Sequence, residues 1–141
     1  MLSDWTCHDA EIADKKNKAR IITRCGKRKK IPGLIITYGT DMFNLPQDVF
    51  ATQVKQMERL LKWYKPGEIL KMATGNAGEL FKMSGLRNPY SDGELGVVKE
   101  GAYADLLLVE GNPLEDLSAV TDQDNLKIFM KDGKIYKNTL N

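Results

Sequence analysis

The chain has 141 residues, of which 42% are hydrophobic and 28% charged, and a formal net charge of +2. This composition is typical of a globular domain, but the length is too short for a complete (β/α)8 barrel of about 250 residues. No apolar run approaches the roughly 20 residues that span a bilayer, and the first residues contain no apolar signal segment. We therefore expect a cytoplasmic protein without membrane contact.

Residues 1–32 form a poorly patterned, basic N-terminal segment. The basic run Lys27–Lys30 could be a nucleic-acid patch, but a solvated loop is favoured because no aromatic residues interleave and no second basic cluster exists. We expect no nucleic-acid partner. Cys7, Cys25 and His8 are too few for a structural zinc site, which takes about four nitrogen or sulfur ligands.

A short apolar run follows Pro32 and Gly33. Leu34–Tyr38 lacks polar alternation, which predicts a strand buried on both faces, as in a parallel sheet. The run ends in Gly39, Thr40 and Asp41. A carboxylate directly beyond the C-terminal end of such a strand lies where α/β enzymes place their chemistry. Asp41 is therefore the candidate site residue, and the alternative is that it only caps a turn.

Helical spacing begins near Gln47 and continues to Lys65. Apolar residues spaced by four and three predict one α-helical stripe that packs on the preceding strand: Phe50, Val54, Met57, Leu61 and Tyr64. Asp48 is a candidate N-cap or first-turn acid, and Pro66–Gly67 is expected to end the helix. Two short helices are predicted next, over residues 68–73 and from Thr74 or Asn76, as the cap, to about Met83.

The remaining residues predict strands. Ala104–Val109 is expected to be a buried strand, and Leu126–Lys131 is an alternating one. Asp132–Gly133 predicts a tight hairpin turn into Lys134–Lys137. We place the boundary between the helical and strand-rich parts near residues 86–94.

Four stretches in this order resemble the amidohydrolase superfamily, in particular its imidazolonepropionase-like and prolidase-like members. They are IITYGTD at 35–41, EILKMATGNAG at 68–78, residues 93–116 with ADL and NPLED, and NLKIFMKDGKIYK at 125–137. The resemblance implies an α/β fold, the C-terminal fragment of a (β/α)8 barrel. Residues 33–90 would supply the last barrel strand and C-terminal helices, and residues 91–141 a β-strand tail that is part of a composite β-sandwich.

The resemblance also implies a role for Asp41. In the family, the aspartate after the last barrel strand binds a divalent metal, most often zinc. It accepts a proton from the water that the metal activates and passes it to the leaving nitrogen. Substrates would be small amides or dipeptides, cleaved at a C–N bond. The family takes its other ligands from an HxH pair, two further histidines and often a lysine, whereas His8 is the only histidine here.

Two hypotheses follow, because one carboxylate cannot hold a catalytic zinc, which needs about three protein ligands. The chain is part of a hydrolase whose other ligands lie on another polypeptide or on sequence outside these residues. Alternatively, it is a non-catalytic truncated remnant or an interaction module. A lone barrel strand also leaves an apolar edge, so we expect self-association or a complementary barrel fragment as partner.

Overall fold

The structure is a computed structural model, and it describes residues 33–40 and 53–140. Asp41, Asp48, Phe50 and the whole of residues 1–32 lie outside the described residues. The elements, in chain order, are a 3-10 helix Val54–Lys62, α1 Pro66–Ala73, α2 Gly75–Lys82, a 3-10 turn Gly85–Arg87, β1 Leu106–Val109, α3 Ser118–Thr121, a 3-10 turn Gln123–Asn125, β2 Leu126–Lys131 and β3 Lys134–Asn138.

Residues 33–40 do not form the predicted buried strand. The segment pairs with no strand among the described residues, and Leu34 and Ile35 are 46% and 48% exposed. A parallel strand needs neighbouring strands for its backbone groups, and here the partners are helices instead. Ile36 and Tyr38 pack against the core, so one side of the segment is partly buried.

The prediction of an α-helix with one apolar stripe is wrong for the described residues from Val54 on, because the helix there has a different periodicity. Val54–Lys62 is a 3-10 helix, in which residues three apart lie on one face. Met57, Leu60 and Trp63 therefore point to the core, while Leu61 is 44% exposed. Nine residues is long for a 3-10 helix, since runs beyond about four residues are uncommon.

Pro66 begins α1 and does not end the preceding helix. Proline suits the first helical position because its missing N–H would have no helical partner there. The Glu68 carboxylate accepts a hydrogen bond from the Lys65 backbone N–H at 2.8 Å, which satisfies one further donor at this end. Helix α2 follows α1 after the single residue Thr74.

The core lies between the 3-10 helix, α1 and α3. Ile69 and Leu117 are almost fully buried, and Met57, Tyr64 and Met72 complete the cluster. Burial of such side chains contributes about 1.5–3 kcal/mol each. Leu117 belongs to the strand-rich half of the chain, so the two halves share this core.

The sheet has the order β1-β2-β3, and both pairs are antiparallel. The predicted hairpin is confirmed: Asp132 and Gly133 have φ angles of 50° and 73°, which is the geometry of a two-residue hairpin turn. The Asp105 carboxylate accepts a hydrogen bond from the Asp132 N–H at 2.6 Å, and Gly133 donates to the Ala104 carbonyl at 3.0 Å. The bond to the Asp105 side chain gives a reason for an aspartate before β1.

The expectation that β1 is buried is wrong. Leu106, Leu107 and Leu108 are 40–51% exposed, so residues on both faces of β1 are open. A continuous apolar strand is normally covered on both faces. Among the described residues there is one three-stranded sheet, and no second layer packs on it as a sandwich would require.

Candidate functional site

The turn between α1 and α2 is fixed by close backbone packing. A β-carbon on Gly78 would overlap the Leu95 carbonyl oxygen, and one on Gly96 would overlap the Thr74 carbonyl group. Gly96 also has a φ of 71°, which glycine adopts without strain. The Thr74 hydroxyl donates to the Leu70 carbonyl at 2.8 Å. Gly78 of the TGNAG motif and Gly96 of the loop therefore allow the loop at residues 95–96 to lie directly on the helices.

Asn76, in the first turn of α2, connects this turn to residues 33–40. Its side-chain amide donates to the Ile36 carbonyl oxygen at 2.7 Å, across 40 positions of sequence. Thr74 or Asn76 was predicted to cap this helix, and Thr74 does hold the N-cap position of α2, although its side chain makes no capping bond. The Thr74 hydroxyl bonds backwards to α1, and Asn76 donates to the segment that precedes Asp41.

Tyr38 makes two further contacts at the end of the segment. Its backbone N–H donates to the Met72 carbonyl at 3.1 Å, near the C-terminal end of α1. Its hydroxyl donates to the Gln53 carbonyl at 2.9 Å. The phenol is half-buried, and burial raises the pKa of Tyr38 to about 12, against an opposing effect of the Arg59 charge. The phenol is therefore neutral at physiological pH and acts as a hydrogen-bond donor.

These bonds place the end of the segment beside both helices. Thr40, the last described residue before Asp41, is half-buried. Sequence reasoning missed Asn76 and Tyr38 as anchors, although the TGNAG motif and the tyrosine before Gly39 carried the signal. Their bonds depend on which helix the segment lies against, and local periodicity does not give that information.

Within residues 33–40 and 53–140, no three His, Cys, Asp or Glu side chains lie close enough to hold a metal ion together. The described residues therefore do not fit a catalytic metal by themselves. Outside this range the sequence adds one histidine, two cysteines and six carboxylates, Asp41 among them. With a single histidine, the sequence does not supply the several histidine ligands that the family resemblance implies.

The described part of the chain also contains an open depression of about 330 Å3 beside the hairpin. Gly93, Gly101 and Tyr103 line it, with Asp92 and Asp132 as its carboxylates. The Tyr103 ring contacts the Tyr90 ring edge to face at a centroid distance of 5.6 Å. The depression is open, and five of its eight lining residues are glycine or alanine, so few polar side chains converge on it as they do in a catalytic pocket.

Charged groups on the described surface pair locally. Glu94 accepts from Lys99 at 2.8 Å and from Lys82 at 3.2 Å, and Lys82 also reaches Glu79 at 2.9 Å. Hydrogen bonds from Lys99 and Lys82 lower the pKa of Glu94. Hydrogen bonds to Glu79 and Glu94 raise the pKa of Lys82. This network ties α2 to the loop at residues 94–99 and is exposed, so its role is structural.

A comparison with protein-family models decides the family. The model of the amidohydrolase family matches residues 9–136, which is most of the chain. The chain belongs to the amidohydrolase family. The resemblance of the four sequence motifs is thereby confirmed, and the family implies a barrel of the TIM type for the fold. No curated protein sequence matches this amidohydrolase chain.

Solved structures agree with this assignment. A crystal structure described as an amidohydrolase is 26% identical, with a TM-score of 0.64, and the match covers 88% of this chain. A prolidase complexed with N-methylphosphonate-L-proline is also 26% identical, with a TM-score of 0.60 and 94% coverage. The ochratoxinase of A. niger is 23% identical with a TM-score of 0.71 over 94% of this chain, and this likeness concerns the fold alone.

The matched region is a small part of each neighbour. The chain spans 26% of the length of the amidohydrolase, 32% of the prolidase and 31% of the ochratoxinase. It thus corresponds to about a third or less of these proteins.

None of the helices in the described residues is long and apolar enough to cross a membrane.

Proposed function

We propose that this amidohydrolase chain serves the hydrolysis of a C–N bond in a small amide or dipeptide, with Asp41 as its contribution to the site. The observation that supports the proposal is the position of Asp41 in sequence. It follows directly on a segment whose backbone is bonded to α1 and α2 through Met72 and Asn76. A carboxylate on a held segment suits catalysis, which depends on placing reacting groups accurately.

In this proposal Asp41 is both a metal ligand and a proton shuttle. Its carboxylate would take up a proton from the attacking water and return it to the leaving nitrogen. A divalent metal, zinc by family resemblance, supplies the activation of water when it is bound. Because zinc needs about three protein ligands, the other ligands must come from another polypeptide or from sequence outside these residues.

The substrate class rests on the prolidase neighbour. That protein was crystallised with N-methylphosphonate-L-proline, a proline derivative. We infer that N-acylated amino acids and proline-containing dipeptides are the first compounds to test.

The second candidate is a non-catalytic remnant or interaction module that keeps the helices and the strand tail. Two observations favour it: the described residues bring no three metal-ligating side chains together, and the sequence has one histidine. Under this hypothesis the exposed sheet, and not Asp41, would carry the function.

Metal content and hydrolysis separate the two candidates. The chain is produced together with the polypeptide or adjoining sequence that supplies the other ligands, incubated with zinc, desalted and analysed for bound metal, then assayed on a proline dipeptide. The hydrolase proposal expects bound zinc that is lost in Asp41→Asn and retained in Asp92→Asn, a control carboxylate in the open depression. Zinc binding that Asp41→Asn does not alter would contradict the role of Asp41.

Genomic sequence next to the coding region gives an independent answer. If it encodes an HxH pair and further barrel strands, the encoded polypeptide is produced together with this chain and assayed for the same hydrolysis. Absence of such sequence, together with absence of zinc binding, favours the non-catalytic module.

A further inference from the structure

We infer that Asn76 is a positioning residue, whose side-chain amide holds the backbone of residues 33–40 against α2. By fixing this segment, Asn76 fixes the point from which the chain continues to Asp41. The inference rests on the proposed function, because the position of Asp41 matters only if its carboxylate acts. It is carried by the hydrogen bond from the Asn76 amide to the Ile36 carbonyl at 2.7 Å.

The donor side of this bond is rigid. Gly78, two residues after Asn76, lies so close to the Leu95 carbonyl that no β-carbon fits between them. Gly75, one residue before Asn76, would place a β-carbon 3.6 Å from the Gly96 carbonyl oxygen, in ordinary contact. The loop at residues 95–96 thus packs on both sides of Asn76. A side chain that starts from such a fixed backbone can hold its partner in a defined place.

The acceptor side depends on few bonds. Among the described residues, the backbone of residues 33–40 makes two hydrogen bonds, from Tyr38 to Met72 and from Asn76 to Ile36. Leu34 and Ile35, at its start, are about half exposed and bury little surface there. The Asn76 bond is therefore one of the two backbone hydrogen bonds that, together with the packing of Ile36 and Tyr38 on the core, hold this segment on the helices.

Local helix chemistry does not explain an asparagine at this position. Asn76 makes no capping bond in α2, and asparagine is a poorer helix former than alanine. Replacing it by alanine should leave α2 as stable or more stable. Any loss of order at residues 33–40 in Asn76→Ala would then come from the lost bond and not from a weakened helix.

Amide hydrogen exchange of the full chain tests the inference. In Asn76→Ala, the Tyr38 N–H should exchange about fivefold faster, the effect of losing one hydrogen bond of ordinary strength. Amides within α1 and α2 should keep their protection. Asn88→Ala is the matched control, since the Asn88 amide donates to the Tyr90 carbonyl at 3.2 Å and does not touch the segment. Asn76→Gln keeps an amide donor and should recover part of the protection.

Unchanged exchange at Tyr38 in Asn76→Ala would overturn the inference, and so would an equal loss of protection throughout α1 and α2. Zinc affinity, measured by competition with a chromophoric chelator on the chain produced together with the polypeptide that supplies the other ligands, provides the second readout. If Asp41 binds zinc there, Asn76→Ala should weaken binding several-fold, and equal affinities in variant and wild type would also overturn the inference. If the wild-type complex binds no zinc, the proposed function fails, while the exchange result still decides whether Asn76 holds the segment.

Discussion

Gly78 and Leu95 approach each other so closely that a β-carbon on Gly78 would overlap the Leu95 carbonyl oxygen. Gly78 is buried in α2, and Leu95 belongs to the loop that connects the helices to the sheet. This close approach fixes the turn at Thr74, and Asn76 lies in the first turn of the helix that follows it. Gly78, the second glycine of the TGNAG motif, is therefore required by backbone packing.

We expect Gly78→Ala to destabilise the fold by about 1–3 kcal/mol, because the methyl group must displace backbone. Gly75→Ala is the matched control in the same helix. Its nearest atom would lie at 3.6 Å, so the variant should be neutral or gain about 0.4–1 kcal/mol from reduced unfolded-state entropy. Urea denaturation measures both. Equal stability of the two variants would contradict the packing argument.

The hairpin turn offers a second test, at Asp105. Its carboxylate accepts from the Asp132 N–H at 2.6 Å and lies 3.6 Å from the Lys131 ammonium. Asp105→Ala should cost about 1 kcal/mol, since the turn loses its acceptor. Asp105→Asn keeps an acceptor and loses only an exposed ion pair, so it should cost less. Denaturation midpoints of the two variants give the order of their stabilities. A larger loss of stability in Asp105→Asn than in Asp105→Ala would contradict the prediction.

The network around Glu94 predicts a dependence of stability on pH. The pKa of Glu94 is below its usual 4.5 in the folded chain. The ionised Glu94 therefore stabilises the fold above pH 4.5, and this stabilisation disappears as the pH falls through the folded-state pKa. The pKa of Lys82 is raised above 10.5, so its contribution is complete below that pH and disappears above it. Glu94→Gln should therefore be less stable than wild type at neutral pH and equal to it in acid. Added salt should reduce the difference, because the groups are exposed.

The sequence predicted the elements whose signals are local. The Asp132–Gly133 turn required positive φ angles, and the strands on either side of it followed from alternation. It did not predict the 3-10 form of Val54–Lys62, because spacing by four and three favours an α-helix. Nor did it predict the Asn76–Ile36 bond, which joins residues 40 positions apart and depends on tertiary packing. Asp41 stays a prediction, since it lies outside the described residues.

Tyr38→Phe tests the anchor at the other end of the segment. The phenol has a pKa of about 12, above its usual 10.0, so it stabilises the fold below pH 10 and this contribution is lost as the pH rises toward 12. Removing the hydroxyl loses the bond to Gln53 and should cost about 0.5–1.5 kcal/mol at neutral pH. Spectrophotometric titration of the variant should lose a tyrosine that ionises near pH 12. Loss of a tyrosine that ionises near pH 10 would show that Tyr38 is more exposed than the structure indicates.

The open sheet leads to a prediction about self-association. Antiparallel partners share a face, so Leu106, Leu108, Ile128, Met130 and Ile135 lie together on one face of the sheet. All five of these side chains are uncharged. The opposite face carries Leu107 and Phe129 beside Lys131, Lys134 and Lys137, whose charges would repel their copies in a symmetric dimer. Self-association is therefore expected through the uncharged face.

Sedimentation velocity over a range of concentrations measures this. Five side chains are fewer than the roughly 20–30 residues per partner in a stable interface, so we expect a weak, reversible dimer. Leu108→Lys should shift the chain to monomer, because it places a charge at the centre of the face. Val98→Lys is the control, since Val98 is 88% exposed and lies away from the sheet. A monomer at all concentrations would exclude a second copy as the partner of this face, and a complementary barrel fragment would then be the partner to test.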